Sequence, residues 1–187
     1  MFPKSDRRSF LGAAVAAASA TLLPAKVLAA NENAHSAQAR VKELGLSLPE
    51  AATPAATYVT AVISGSMLYI SGHGPAKLDG VKAGKVGVDL TIEEAQFAAR
   101  ATAINVLATM QSKLGSLDRV VQLVRTFGMV NAPADFTQQP SVINGYSDLM
   151  AEVFGAEAGK GVRAAVGMGS LPSNIAVEIE SIWEIRA

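Results

Sequence analysis

The stretch 175–185 (IAVEIESIWEI) alternates between apolar and polar positions with a period of two, which predicts a β-strand. One face is apolar and the other carries three carboxylates. Burying an ionised carboxylate without a partner costs several kcal/mol or more. The carboxylate face is therefore expected to meet water, a cationic partner or a site. The apolar face comprises Ile175, Val177, Ile179, Trp183 and Ile185, and the acidic face carries Glu178, Glu180 and Glu184.

Two helices follow from the same kind of pattern. Thr91 and Glu94 form a capping box, apolar residues recur at spacings of three and four after it, and Gly115 supplies the stop. Residues 140–154 predict a second helix, which Gly155 ends.

The remaining apolar stretches predict strands at 58–63, 67–71, 118–130 and 163–171, in addition to 175–185. The first two form a hairpin, and a Pro-Ser-Asn turn joins the last two. The fold class is therefore α+β, with one mixed sheet and both helices on one face. Because such a sheet leaves its carboxylate face bare, a closed ring of identical subunits is expected to cover it.

The first 29 residues predict a twin-arginine signal peptide. Arg7 and Arg8 precede a short alanine-rich apolar run, and small residues near Ala29 suit signal peptidase. The alternative is a membrane anchor, but the run is too short to span a bilayer comfortably. The chain is thus expected to be periplasmic, with residues 30–56 as an N-terminal extension that contains one helical pattern at 37–44, and residues 57–187 as the domain.

The amino-acid composition argues against nucleic-acid binding, metal binding and thiol chemistry. Removal of the leader leaves 158 residues with 12 basic and 15 acidic side chains, a net charge of −3, which disfavours nucleic acid as a main partner. The chain has no cysteine, and its two histidines, His35 and His73, lie far apart in sequence. We therefore expect no metal, no thiolate chemistry and no cofactor.

Short sequence words between residues 58 and 185 resemble the RidA family, also called YjgF-like, of enamine and imine deaminases. The resemblance implies a chorismate-mutase-like fold and a homotrimer. In such trimers the sheets line a central barrel, the helices lie outside, and the sites lie in clefts between subunits. The words are YISGHGP at 69–75, LGSLD at 114–118, DF at 135–136, VING at 142–145, LP at 171–172 and VEIE at 177–180.

The resemblance also implies site residues. The carboxylate-binding arginine of the family falls on Arg163 and its water-positioning glutamate on Glu178. Its site tyrosine falls on Tyr58, and its asparagine on Asn144. The other positions implied to bind substrate are Ser71, Gly72 and Ala165.

The chain departs from the family pattern at several positions in and near these motifs. Ala165 stands where well-known members have a cysteine that contributes mainly backbone contacts, and Ser147 replaces a tyrosine that some members carry. His73-Gly74 and the longer loop to Gly87 also differ from the usual word. Together with the leader, these departures indicate a divergent exported subgroup.

The implied reaction is hydrolysis of a 2-imino acid, or of its enamine tautomer, to a 2-keto acid and ammonia. Arg163 supplies a planar, two-pronged donor for the substrate carboxylate, and Glu178 orients water and moves a proton. An imine is already electrophilic, so a covalent nucleophile is unnecessary. Ser71, with no histidine base predicted beside it, is expected to act through a hydrogen bond.

These residues also have simpler interpretations. Glu178 would be solvated strand surface. Arg163 would pair with Glu178 or Glu180 across adjacent strands, Tyr58 would pack, Asn144 would stabilise a trimer contact, and His73 would be a solvated loop side chain.

At the level of function, two alternatives remain open. The first is a non-catalytic periplasmic trimer that binds small carboxylates or other proteins. The second is an endoribonuclease, against which the net charge of −3 and the lack of a basic run count. In both the deaminase and the binder hypotheses, the partners are a small carboxylate or imine and two further copies of the chain. Neither includes nucleic acid or a stable membrane anchor.

Overall fold

The computed structural model describes residues 36–187. The predicted signal peptide and His35 lie outside these residues. Between residues 36 and 187, three helices and five strands follow one another. They are α1 (Ala37–Glu43), β1 (Ala61–Ser64), β2 (Met67–His73), α2 (Ile92–Leu114), β3 (Val120–Asn131), α3 (Gln139–Phe154), β4 (Val162–Met168) and β5 (Val177–Ile185). Single 3-10 turns, Leu117–Arg119 and Pro172–Asn174, precede β3 and β5.

The helix signals in the sequence act as predicted. The Thr91 hydroxyl accepts from the Glu94 amide while the Glu94 carboxylate accepts from the Thr91 amide, which confirms the capping box at the start of α2. Gly115 ends this helix with a φ of 79°, a conformation that glycine adopts without steric cost. α3 has a proline in its first turn and ends at Gly155.

The five strands form one mixed sheet in the order β1-β2-β5-β3-β4. Only the β3–β4 pair is parallel. β4 and β5 are consecutive in sequence but are not neighbours, because β3 lies between them and pairs with both. The prediction that Arg163 and the β5 carboxylates occupy adjacent strands is therefore wrong.

The alternation read in the last strand is confirmed. Val177, Ile179, Trp183 and Ile185 are buried, while Glu178 and Glu184 are half-buried and Glu180 is exposed. Only the ends of the element differ from prediction, since β5 begins at Val177 rather than Ile175. The buried face packs beneath α2 and α3, whose apolar residues complete the core. The opposite face is not covered by any described part of the chain.

The segment before β1 contributes to the same core. Ala37 and Val41 of α1 are buried in it, and the Ser36 hydroxyl donates to the Asp118 carboxylate. Arg40 donates from Nε to the Glu152 carbonyl at 3.2 Å, which ties α1 to α3. Between residues 36 and 187, no helix combines the length and the apolar character needed to cross a bilayer.

Candidate active site

Arg163 lies near the start of the edge strand β4 and is held by the last helix. Its Nη1 donates to Asn144 Oδ1 at 2.9 Å and to Ser147 Oγ at 3.0 Å. Asn144 and Ser147 are three residues apart on α3, so they present their oxygens on one face of the helix. A cavity of about 260 Å³ lies around the guanidinium, with Thr126, Asp148 and Lys160 also in its wall.

These contacts exclude one of the interpretations of Arg163. Among residues 36–187, it donates only through Nη1 and only to two neutral oxygens. It does not pair with Glu178 or Glu180, so the ion pair considered from the sequence is absent. The hydrogen-bonding edge formed by Nε and Nη2 makes no hydrogen bond within residues 36–187, and its two parallel N–H groups have the geometry that matches a carboxylate.

Glu178 lies on the other side of the sheet, against Gly72 of β2. A Cβ added at Gly72 would overlap the Glu178 carboxylate oxygen and lie 2.9 Å from its carbon. Burial, and secondly the neighbouring Glu180 charge, raise the pKa of Glu178 above its ordinary value. A carboxyl group with a raised pKa can exchange protons closer to neutral pH, as a general acid and base must.

The two predicted catalytic residues do not converge within one chain. Arg163 pairs in register with Thr126 of β3, and Glu178 pairs with Met129. The Cα atoms of Arg163 and Glu178 are therefore two strands apart across the sheet and three residues apart along it, which corresponds to about 14 Å. The Arg163 side chain also turns towards the helices, whereas Glu178 points to the open face. A single small ligand cannot contact both in the same copy.

A β-bulge places Ser71 and Gly72 beside the carboxylates. Ile70 pairs with Ser181 and His73 pairs with Ile179, so these two residues of β2 oppose the single residue Glu180. The buried Ser71 hydroxyl has no hydrogen-bond partner among the described residues. The structure therefore brings Ser71, Gly72 and Glu178 together on the open face.

His73 is neither in a loop nor solvated, contrary to the simpler interpretation from sequence. It is the last residue of β2, is 3% exposed and faces α2. Its Nδ1 lies 2.8 Å from the Ser71 carbonyl oxygen and its Nε2 lies 2.9 Å from Thr109 Oγ1. Because a carbonyl only accepts, Nδ1 carries the proton and, in the neutral ring, Nε2 accepts from Thr109.

The two remaining predicted positions, Tyr58 and Ala165, lie on different parts of the fold. Tyr58 is about half exposed in the segment before β1, and its hydroxyl accepts from the Ala55 amide at 3.4 Å. The strand predicted to begin at Tyr58 begins at Ala61 instead. Ala165 pairs with Gly128 and packs against the core, two residues beyond Arg163 on the same side of the sheet.

Sequence reasoning missed how the site is supported. The role of Ser147 as a second acceptor for Arg163 was not predicted. Its spacing of three residues from Asn144 on a predicted helix does indicate that the two side chains lie on one face. The anchoring of His73 had no local signal, because Thr109 is 36 residues away.

Comparison with known proteins identifies the family. Residues 38–180 match the family model described as "YjgF/chorismate mutase-like, putative endoribonuclease". The chain belongs to the YjgF/RidA-like family.

Relatives of this YjgF/RidA-like chain come from distant organisms. It is 45% identical to Protein TCP17 of Trypanosoma cruzi over 149 residues, covering 79% of this chain and 93% of that protein. It is 39% identical to the protein Atu1372 with unknown function from Agrobacterium tumefaciens, with a TM-score of 0.74, covering 87% of this chain and 99% of the other. A structure from Shewanella oneidensis described as a "putative endoribonuclease" is 31% identical, has a TM-score of 0.75 and covers 80% of this chain and 99% of its own. The chorismate-mutase-like fold is confirmed.

The buried His73 predicts how this YjgF/RidA-like domain responds to acid. Burial lowers the pKa of His73, and the hydrogen bond to the Ser71 carbonyl only partly opposes this. The unfolded chain therefore binds a proton more readily than the folded chain. The stabilising contribution is complete above the unfolded pKa of about 6.5 and is lost as the pH falls through the folded pKa.

Denaturant unfolding at about pH 7.5 and at about pH 5 checks this prediction. The wild-type free energy of unfolding should fall more over this range than that of His73→Gln, which has no titrating group at the position. Equal pH dependences for the two chains would contradict it.

Proposed function

We propose that this protein hydrolyses 2-imino acids, or their enamine tautomers, to 2-keto acids and ammonia. The proposal rests chiefly on Arg163, whose guanidinium is fixed by Asn144 and Ser147 while the edge formed by Nε and Nη2 carries no partner among the described residues. A planar fork of donors of this kind matches a carboxylate in a two-pronged hydrogen bond. Membership of the YjgF/RidA-like family is consistent with this chemistry.

The reaction needs one water and one proton carrier. Water adds to the imine carbon and forms a C–O bond, while its proton passes to Glu178. Glu178 gives that proton to the imine nitrogen, which becomes the amine of a carbinolamine. It then takes the proton of the new hydroxyl group and passes it to the same nitrogen, so that the C–N bond breaks as the C=O bond forms and ammonia leaves a keto acid. The raised pKa of Glu178 supports both steps, because the carboxyl group must accept and donate at similar pH. The Ser71 hydroxyl supplies a hydrogen bond to the substrate in this scheme.

The site is formed between copies of the chain in this proposal. One copy contributes the Arg163 half and the neighbouring copy contributes the half made of Ser71, Gly72 and Glu178. The support is the placement of these halves on opposite sides of one sheet, together with the small-molecule-binding homotrimers typical of the family. A closed ring of three copies repeats the same junction three times.

We place the protein in the periplasm, because the twin-arginine pattern at Arg7 and Arg8 predicts export. Its imino acids would there come from oxidation of amino acids, which converts a C–N single bond to C=N and keeps the carboxylate.

The test is an imine-hydrolysis assay on the purified mature chain. An amino-acid oxidase generates imino acids from several amino acids, and loss of imine is followed together with keto acid and ammonia. The wild type should accelerate hydrolysis, and Arg163→Ala should lower kcat/KM by on the order of 100-fold because the carboxylate is no longer oriented. Lys42→Ala, which removes an exposed cation in the last turn of α1, is the matched control and should retain full activity.

The results separate the competing functions. No acceleration for any imino acid by a folded oligomer would overturn the deaminase proposal. Ligand binding that survives Glu178→Gln without turnover in the wild type would instead favour a carboxylate-binding module. RNA cleavage that persists in Arg163→Ala would favour the endoribonuclease named in the family description.

A further inference from the structure

His73 occupies an unusual position relative to the candidate site. It is buried under α2, two residues beyond Ser71, and contacts neither the cavity around Arg163 nor the open face. Both of its ring nitrogens are used, one by the Ser71 carbonyl and one by the Thr109 hydroxyl. A buried histidine whose two ring nitrogens both form hydrogen bonds stabilises the backbone conformation in which those bonds are made.

The arrangement it holds is the bulge in β2. In a regular strand, residues alternate between faces, so Ile70 and Gly72 would face the helices and Ser71 and His73 would face outwards. Here Ile70 and His73 both face the helices, and the extra residue between them leaves Ser71 and Gly72 opposite Glu180. A one-residue slip back to the regular register would expose His73 and turn Gly72 away from Glu178.

The contacts of His73 oppose that slip at two points. The hydrogen bond from Nδ1 to the Ser71 carbonyl spans the two bulged residues, and the hydrogen bond from Thr109 ties the ring to the middle of α2. Losing them would leave the buried Thr109 Oγ1 and the part-buried Ser71 carbonyl without these partners, and a buried polar group without a partner destabilises the arrangement that contains it. The bulged register is therefore stabilised by a residue on the far side of the sheet from the carboxylates.

Gly72 in turn sets where the Glu178 carboxylate lies. The carboxylate occupies the space where any other residue at position 72 would carry its Cβ. The bulge thus provides a recess in the open face, and Glu178 is half-buried in it. Only glycine at position 72, held at this register, leaves room for that recess.

We propose that His73 is a positioning residue, which locks the β2 bulge and thereby holds Glu178 against Gly72 in the geometry needed for proton transfer. The inference deepens the proposed deaminase function and, for its kinetic readout, rests on it. Because the substrate carboxylate is bound by Arg163 on the other half-site, loss of His73 should lower kcat and leave KM nearly unchanged.

The kinetic experiment uses graded substitutions. His73→Leu removes both hydrogen bonds and should lower kcat at least about 10-fold, consistent with the 10²–10⁴-fold contribution typical of a general acid and base. Thr109→Val removes only the distal contact and should give a smaller loss in the same direction. His73→Asn restores a donor near the position of Nδ1 and should recover most of the activity.

Repeating the His73→Leu substitution in a Glu178→Gln protein distinguishes a positioning role of His73 from a general loss of stability. In Glu178→Gln, the carboxylate whose position matters is already absent, so adding His73→Leu should cost no further kcat even though the melting temperature still falls. An additional 10-fold loss in that background, or a rise in KM without a change in kcat, would overturn the proposal.

A readout without turnover keeps the inference testable if the protein proves not to be a deaminase. The Glu178 carboxyl carbon is titrated by NMR in the wild type and the variants. Burial is the main cause of its raised pKa, with Glu180 on the same strand as the second cause. Release from the recess in His73→Leu should lower the pKa towards the ordinary value, and His73→Asn should restore it. An unchanged Glu178 pKa in His73→Leu would overturn the positioning role whatever the reaction is.

Discussion

Glu178→Gln should lower kcat for imino-acid hydrolysis by roughly 10²- to 10⁴-fold, the range typical of general acid–base catalysis. Glutamine keeps the size of the side chain that lies against Gly72 but cannot accept and return a proton. KM should change little, because the proposed site assigns binding of the substrate carboxylate to Arg163 of the other half-site. Glu184→Gln is the matched control, since Glu184 is a half-buried carboxylate on the same face that already accepts from Gln122 at 2.7 Å. Equal activity of Glu178→Gln and the wild type would contradict the role assigned to Glu178.

The same variant tests whether the site is shared between copies. The experiment coexpresses Arg163→Ala and Glu178→Gln chains that carry different tags. Each variant alone should keep about a hundredth of wild-type activity or less. In a mixed ring, an intact site forms wherever the arginine of one copy meets the glutamate of its neighbour, and random assembly makes roughly a quarter of the sites intact. Mixed oligomers should therefore regain about a quarter of wild-type activity.

The control for mixing is coexpression of the wild type with the double variant that carries both changes. Sites formed between copies predict roughly a quarter of wild-type activity in this mixture, whereas sites contained in one copy predict about a half. Absence of any activity in the mixture of single variants, with mixed oligomers verified by their tags, would refute the shared site.

Gly145→Ala should lower the free energy of unfolding by about 3 kcal/mol, near the upper end for overpacking. Gly145 lies inside α3 against the backbone of α2. An added Cβ would overlap the carbonyl oxygen of Gln96 and lie 2.8 Å from its carbon. Main-chain atoms cannot rotate away as a side chain would, so the two helices must separate, and this outweighs the gain of about 1 kcal/mol in helix propensity.

Urea unfolding measures this effect. The matched control is Gly169→Ala, because a Cβ at Gly169 meets nothing within 4 Å and the residue does not need a left-handed backbone. Gly169→Ala should change stability by no more than about 0.5 kcal/mol. A Gly145→Ala protein as stable as the wild type would show that the two helices tolerate wider separation.

The sequence alone was informative where the signal is local. The capping box of Thr91 and Glu94, the stop at Gly115 and the two faces of β5 all depend on residues within one element, and each was predicted correctly. Strand ends were less well predicted, as at Tyr58, because the length of a strand depends on the partner with which it pairs.

The candidate site residues were identified from the sequence by resemblance to a family. The resemblance did not predict how Arg163 and Glu178 are arranged relative to each other in this chain. Arg163 and Glu178 are 15 residues apart in the chain and were expected on adjacent strands, but β3 pairs between them and their side chains point to opposite sides of the sheet. Strand order is set by contacts between residues far apart in sequence, and a local sequence pattern contains no information about such contacts.

The chain by itself thus determined which segments form helices and strands, which face of the last strand is apolar, and which residue types are available for chemistry. Tertiary structure alone decided that β3 separates β4 from β5, that Asn144 and Ser147 hold Arg163, and that the β2 bulge sets Gly72 against Glu178. The physical reason is that periodicity and capping arise from neighbours along the chain, whereas register, bulges and hydrogen bonds such as that between His73 and Thr109 form only when distant segments pack together.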